Sequence, residues 1–387
     1  MSALEEIEQG IESLLMEPPY ASDPQQGRCV LLELLKKELG YACEQNSRFR
    51  NYVEHWPTDF RNAKEISDLP FLPVGVFKSD PPLALVEATE VKRTLTSSAT
   101  TGQVPSRIVL DAATARRMSK GVITIARDFI GSSRRPYLVI DTPENLAVQT
   151  QLGARGAAIQ ALRSFATEII CGLQRGEQGD STLDLNKLLA FAAKWKDSEI
   201  LVYGFTYVIW TELVQPLQRQ GIMLDLPNVR VLHSGGWKRL ERQAVTRDVF
   251  IDGVSALFGC STERIVDYYG MVENVGVIYP DCAQGNKHVP NFAEVIIRDP
   301  LTLAPVKAGE RGLIQVCSVL PTSFPGFLLL TEDMAEVIGY DDCPCGRKGT
   351  SFRFAGRAPK AEVRGCGNLE STRHSQAQLS GIVDATV

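Results

Sequence analysis

The chain has 387 residues, 44% of them hydrophobic and 22% charged, with a formal net charge of −5. That mix fits a globular protein of two or three packed lobes, and an acidic balance without a basic run excludes nucleic acid as an expected partner. No apolar run reaches membrane-spanning length, and the acidic start "MSALEEIEQG" lacks the apolar core of an export signal, so a cytoplasmic location is expected.

In chain order, "LEEIEQGIESLLM" and "CVLLELLKKELGYACEQN" space apolar residues three and four apart and predict helices within 1–60. "SDLPFLPVGVFKSD" predicts extended chain, because prolines interrupt the pattern. "PYLVIDTP", "EILVYGF" and "NVRVLHSGG" are apolar runs that end in turn residues. They read as buried strands. Between them, "AATARRMSKGVITIARDFI", "LDLNKLLAFAAKW" and "ERQAVTRDVFIDGVSALFG" carry helical periodicity. This alternation predicts an α/β region with helix-flanked sheet over 61–284. "AEVIIRDP", "GLIQVCSVL" and "FLLLTEDMAEVIGYDD" predict a smaller β-rich lobe over 285–366, followed by a polar tail, 367–387.

Five stretches suggest chemistry. "TLTSSATTGQVPSR" offers hydroxyls and backbone N–H groups, with Gly102 permitting close approach, which suits phosphate oxygens. It is no Walker loop, since G-x-x-x-x-G-K-[ST] is absent. "VLHSGGWKRL" ends a strand in Gly235–Gly236, where a flat ring can lie against backbone. In "DYYGMVENVG", two tyrosines suit a purine face, and Glu273 suits a magnesium ion on phosphate. Asp333 in "LLLTEDMAEV" ends an apolar run and can accept from ribose hydroxyls. Arg357 in "FRFAGRAPKAEVRGC" follows a glycine turn. Each stretch taken alone also fits a blander reading: a linker, a strand-to-helix turn, or a surface ion pair.

In this order the five stretches resemble the site motifs of the adenylate-forming superfamily. With "LPVGVFKS", "GGWK", "YYGMVE", "CPCGRKG" and "GRAPKAEVRGC", the chain resembles its LuxE-type acyl-protein synthetase branch over roughly residues 15 to 370. The resemblance implies an α/β fold, namely the large N-terminal domain of that superfamily, with the usual mobile C-terminal domain absent. It implies ATP and Mg²⁺ as cofactors, a carboxylic acid substrate, and an acyl-thioester reductase as partner. By the same likeness Ser97, Ser98, Thr100, Thr101 and Gly102 would hold the β- and γ-phosphates. Gly235, Gly236 and Tyr268 or Tyr269 would flank adenine, with Trp237, Gly270 and Met271 also among the cofactor-binding residues. Glu273 would contact magnesium, Asp333 ribose, and Arg357 ribose or phosphate. Cys366 would receive the acyl group as a thioester. Lys238 or Lys360 would stand in for the lysine of the missing domain.

One departure is Val272, where the superfamily usually carries a hydroxyl residue before the glutamate. Two alternatives stay open: a ligase for a small or aromatic acid that hands it to coenzyme A or a carrier, and a non-catalytic nucleotide- or partner-binding homologue. A hydrolase is set aside because no G-x-S-x-G elbow occurs. The apolar lining expected for an acyl pocket is "YGFTYVIW" together with "GGW".

The nine cysteines are odd in number, which with no export signal argues against a disulfide framework. Cys29, Cys43, Cys171, Cys260 and Cys317 read as small buried apolar residues. "DCAQGNKH" and "DCPCG" differ: Cys282, His288, Cys343 and Cys345 form a candidate closed zinc set, structural because four protein ligands leave no open position. Free or buried cysteines are the alternative.

Overall fold

The computed structural model describes residues 2–21, 24–97, 104–146, 151–176, 180–237 and 243–358. The chain divides into two compact units, one of residues 1–124, 271–277 and 286–387, the other of 125–270 and 278–285. Among the described residues no helix is long and apolar enough to cross a membrane.

The first unit opens with helix Ala3–Met16, where Ser2 and Glu5 form a reciprocal capping box and Ile7, Ile11, Leu14 and Leu15 are buried. Helices Pro24–Gln45 and Ser47–Glu54 follow. Most strands of this unit join one sheet. Its order is Lys287–His288, Thr350–Arg357, Leu328–Tyr340, Arg311–Ser318, Ala293–Arg298, with Leu72–Pro73 pairing in parallel beside Leu328–Tyr340. The segment 67–80 is less extended than its sequence suggests. Short 3₁₀ turns, Ile66–Asp68 and Val74–Lys78, flank that two-residue strand. Prolines break helical periodicity there, but they do not prevent single turns. A separate hairpin pairs Arg93–Thr96 with Arg107–Leu110.

The second unit is built on a sheet ordered Tyr279–Pro280, Ile265–Tyr269, Val229–Ser234, Ile200–Phe205, Arg135–Val139, Ala166–Cys171. Its pairings are parallel except for Tyr279–Pro280. Leu138, Ile140, Val202, Val229 and Val231 belong to one core with residues of helices Leu185–Trp195 and Arg247–Phe258. Helix Arg247–Phe258 packs closely. A Cβ on Gly253 would come within 2.7 Å of the Trp210 ring.

One expectation is corrected. Cys171, Cys260 and Cys317 are buried, but Cys29 is exposed and Cys43 half-buried. Their helix, Pro24–Gln45, turns part of its surface to solvent. Residues 206–210 of "YGFTYVIW" are helical, and the helical run continues to 219 with a π-helical stretch Ile209–Val214. Val208, Ile209 and Trp210 lie in the second unit's core, with Trp210 against Phe250 at 6.1 Å, so these three fill the interior.

Candidate active site

The expected site residues fall into two sets, one in each unit. In the first unit, strand Arg93–Thr96 delivers Ser97 to the base of the hydroxyl loop. The Ser106 backbone N–H donates to Ser97 Oγ at 2.8 Å, and the Ser97 N–H donates to the Ser106 carbonyl at 3.1 Å. The loop therefore leaves and returns through a closed pair of bonds. Ser98, Thr100, Thr101 and Gly102 lie outside the described residues.

Glu273 is 7% exposed and takes a hydrogen bond from the Ser106 side chain. Burial pushes its carboxyl pKa up. The Ser106 bond, the backbone and the Lys78 charge pull it down, while the Asp333 charge pushes it further up. The segment behind it is held tightly. Gly276 has φ +80°, and a Cβ there would sit 2.7 Å from Leu320 and 2.8 Å from the Met118 backbone. Gly121, on helix Ala112–Ile130, faces the Gly276 carbonyl, and a Cβ on it would meet that oxygen at 2.6 Å. Only glycine satisfies both the backbone angle and the contact at Gly276.

Asp333 and Arg357 are direct cross-strand partners. Arg357 Nε lies 3.6 Å from Asp333 Oδ1, and Arg357 Nη2 lies 3.4 Å from Glu332 Oε2. The Thr-x-Asp spacing has a local cause: the Asp333 N–H donates to the buried Thr331 hydroxyl at 3.1 Å. Gly356, with φ +96°, makes the turn that sets Arg357.

Lys78 has no periodic signal in the sequence, yet its charge acts on Glu273. The preceding Phe77 is fully buried against Phe324, with ring centroids 5.6 Å apart. That anchor ends the 3₁₀ turn Val74–Lys78 with the lysine exposed. Ser106 was also missed, since it lies beyond the hydroxyl-rich core of its loop. No spacing rule marks either residue.

In the second unit, Gly235 has φ +83°, and a Cβ on it would touch the Phe205 ring at 3.4 Å. Gly236 faces open space, with nothing within 4 Å of a built Cβ. Tyr268 and Tyr269 are both buried and packed on other tyrosines. Tyr268 stacks on Tyr203 at 6.5 Å, with the hydroxyls 3.2 Å apart, and Tyr269 stacks on Tyr279 at 6.0 Å. His233, just before the glycine pair, is a further residue that the sequence reading missed. The Thr206 hydroxyl donates to the Ser234 carbonyl at 3.2 Å and lies 2.9 Å from His233 Nδ1. Asp267 Oδ1 lies 3.6 Å from the same nitrogen. Trp237 packs partly buried against the unit's core. Gly270 ends the longer segment of the second unit, and Met271 opens the first unit's segment that carries Glu273. Lys238, Lys360 and Cys366 lie outside the described residues.

Cys282, His288, Cys343 and Cys345 come together, their ligand atoms all within 4.8 Å of one another. The His288 pKa is pulled down to about 4, chiefly by burial and then by the Arg347 charge, so its imidazole is neutral at pH 7.

Comparison with known proteins places this geometry. A solved 2-hydroxyisobutyryl-CoA ligase, bound to 2-HIB-AMP and CoA, aligns with a TM-score of 0.67 at 17% identity, covering 88% of this chain and 70% of that one. An open form of the same enzyme gives 0.65. The fold is therefore that of the adenylate-forming ligases. A long-chain-fatty-acid–luciferin-component ligase of Vibrio harveyi is 24% identical over 360 residues, 91% of this chain and 90% of the relative. The Aliivibrio fischeri protein of the same name is 24% identical over 312 residues, 79% of this chain and 78% of the relative. A family model for the acyl-protein synthetase LuxE matches residues 5–374, nearly the whole chain, and the protein is accordingly a ligase of that family.

Proposed function

We propose that the protein activates a carboxylic acid, in the first instance a fatty acid, at the expense of ATP. A carboxylate oxygen attacks the α-phosphorus, the bond to pyrophosphate breaks, and an acyl-adenylate forms. The Cys366 thiol then attacks the acyl carbon. A thioester forms, AMP leaves, and the thiol proton passes to solvent. An acyl-thioester reductase would draw the acyl group from that thioester. In the sequence, Arg364 lies two residues before Cys366 and would favour the thiolate, and the flanking Gly365 and Gly367 would give access.

The observation that carries this reading is the gathering of the Ser97–Ser106 loop base, Glu273, Lys78 and the Asp333–Arg357 pair within the first unit. An acid attacking a triphosphate must overcome negative charge on both reactants, which calls for fixed donors and cations at the phosphates. The residues fit a magnesium-chelated nucleotide. Glu273 is a buried carboxylate whose ionised form the Ser106 bond, the backbone and Lys78 offset only in part, and oxygen donors of this kind suit Mg²⁺. Glu273 would hold the ion, which would neutralise charge on the departing pyrophosphate. Asp333 would orient ribose, Lys78 and Arg357 would face phosphate oxygens, and the hydroxyl loop would donate to them. The names of the Vibrio harveyi and Aliivibrio fischeri relatives favour a long-chain acid over a small or aromatic one.

The test is acyl labelling. Incubation with ATP, Mg²⁺ and radiolabelled long-chain acid should leave a hydroxylamine-sensitive label on the protein. Cys366→Ala should lose the label yet keep acid-dependent exchange of pyrophosphate into ATP. A label that persists on this variant would move the nucleophile elsewhere.

A further inference from the structure

We infer that Cys282, His288, Cys343 and Cys345 bind one zinc ion in a closed tetrahedral site, independent of the adenylation chemistry. The four ligand atoms all lie within 4.8 Å of one another. Zinc–sulfur bonds of about 2.3 Å and a zinc–nitrogen bond of about 2.0–2.1 Å give tetrahedral edges of about 3.5–3.8 Å. One edge, Cys345 Sγ to His288 Nε2, is already 3.3 Å. The 4.8 Å bound on the other edges leaves at most about 1 Å of contraction to complete the shell.

The backbone around the cysteines is built alike on both arms. The Gly285 N–H donates to the Cys282 carbonyl at 2.8 Å, and the Gly346 N–H donates to the Cys343 carbonyl at 2.9 Å. Each turn ends on a glycine of positive φ, +70° at Gly285 and +85° at Gly346. The two turns thus give Cys282 and Cys343 matching backbone surroundings. The histidine is fixed differently. It lies on strand Lys287–His288, in register with Ser351 of strand Thr350–Arg357. The Tyr20 ring meets the imidazole edge-on at 6.1 Å.

An outer layer supports the sulfurs. Buried Asn286 donates from Nδ2 to Cys343 Sγ at 3.7 Å, and its Oδ1 accepts from Arg353 Nε at 2.9 Å. The amide thus passes positive character from the guanidinium to the sulfur, as expected around a charged metal–thiolate group. Three soft thiolates and one imidazole select zinc over magnesium or calcium. Four protein ligands leave no position for substrate, so the ion stabilises the fold and takes no part in acyl activation.

The experiment uses the full chain, purified without chelator. Elemental analysis should find one zinc per chain. Cys345→Ser and His288→Asn should each lower that content at least several-fold. Should either variant fail to fold, wild-type protein prepared with cobalt decides. It should show the intense visible bands of tetrahedral cobalt(II) together with thiolate charge transfer. Stripping the metal should lower Tm by about 5 °C or more, reversibly on adding zinc. Purified protein with no stoichiometric zinc and no tetrahedral cobalt spectrum overturns the assignment. So does stoichiometric binding of a different metal.

Discussion

The two sheets solve different problems with the same backbone hydrogen bonds. In the second unit, strands Arg135–Val139 and Ile200–Phe205 are buried almost throughout, as in a sheet covered on both faces. Polar character there collects at strand ends, where His233, Gly235 and Gly236 follow an apolar run. In the first unit, strand Leu328–Tyr340 changes texture midway, from buried apolar residues to exposed Glu332 and half-buried Asp333. Its antiparallel partner supplies Arg357 in direct register. A parallel strand offers its end as a binding surface, whereas an antiparallel pair can set opposite charges side by side. Glycines divide the same way. Gly276 is required by packing, whereas Gly236 faces empty space.

That contrast can be broken at several points. The largest effect should come from Gly276→Ala. The strained φ and the contact with Leu320 and Met118 should cost about 2–4 kcal/mol, read as a fall in Tm. Gly236→Ala, by contrast, should leave stability within about 0.5 kcal/mol. Equal losses at the two glycines would dissolve the distinction.

Next comes Glu273→Gln, which should lower acid-dependent pyrophosphate exchange about 100-fold. Its stability should move the other way. Burial raises the folded pKa of Glu273, so the wild type loses stability as pH rises through that pKa. Glutamine does not titrate. The variant should therefore be the more stable one at neutral pH, and this advantage should shrink as pH falls into the ordinary glutamate range. A constant Tm difference across that range would contradict the assigned burial.

Lys78→Ala should lower exchange about tenfold, equivalent to about 1.4 kcal/mol of transition-state stabilisation. Its Tm should be unchanged, because the side chain is exposed. Arg357→Ala should also change stability little. The Arg357 side chain is 70% exposed, so its pairing with Asp333 should contribute less than about 1 kcal/mol, measurable by denaturant titration.

Much of this was legible in the chain itself. The three strands ending in "DTP", "GF" and "SGG" form the centre of the second unit's sheet, because continuous apolar runs fit strands buried on both faces. Asp333 and Arg357 were singled out separately, and the sheet register pairs them. Strand Ala166–Cys171 was missed. It lies at the end of the sheet order, only partly buried, and so lacks a clean pattern. The helical stretch 206–219 was hidden by β-branched and aromatic residues that favour strands in isolation but here fill a core. Lys78 and Ser106 could not be read from the sequence, because their proximity to Glu273 arises from the fold and from no local spacing.

In the proposed function the first unit's charge cluster handles ATP while an organic acid displaces pyrophosphate. Exchange of labelled pyrophosphate into ATP, across a panel of acids, tests it most directly. Exchange should depend on both acid and magnesium and be strongest with long-chain acids. No exchange above background with any acid, from protein that is folded and metal-replete, would contradict it.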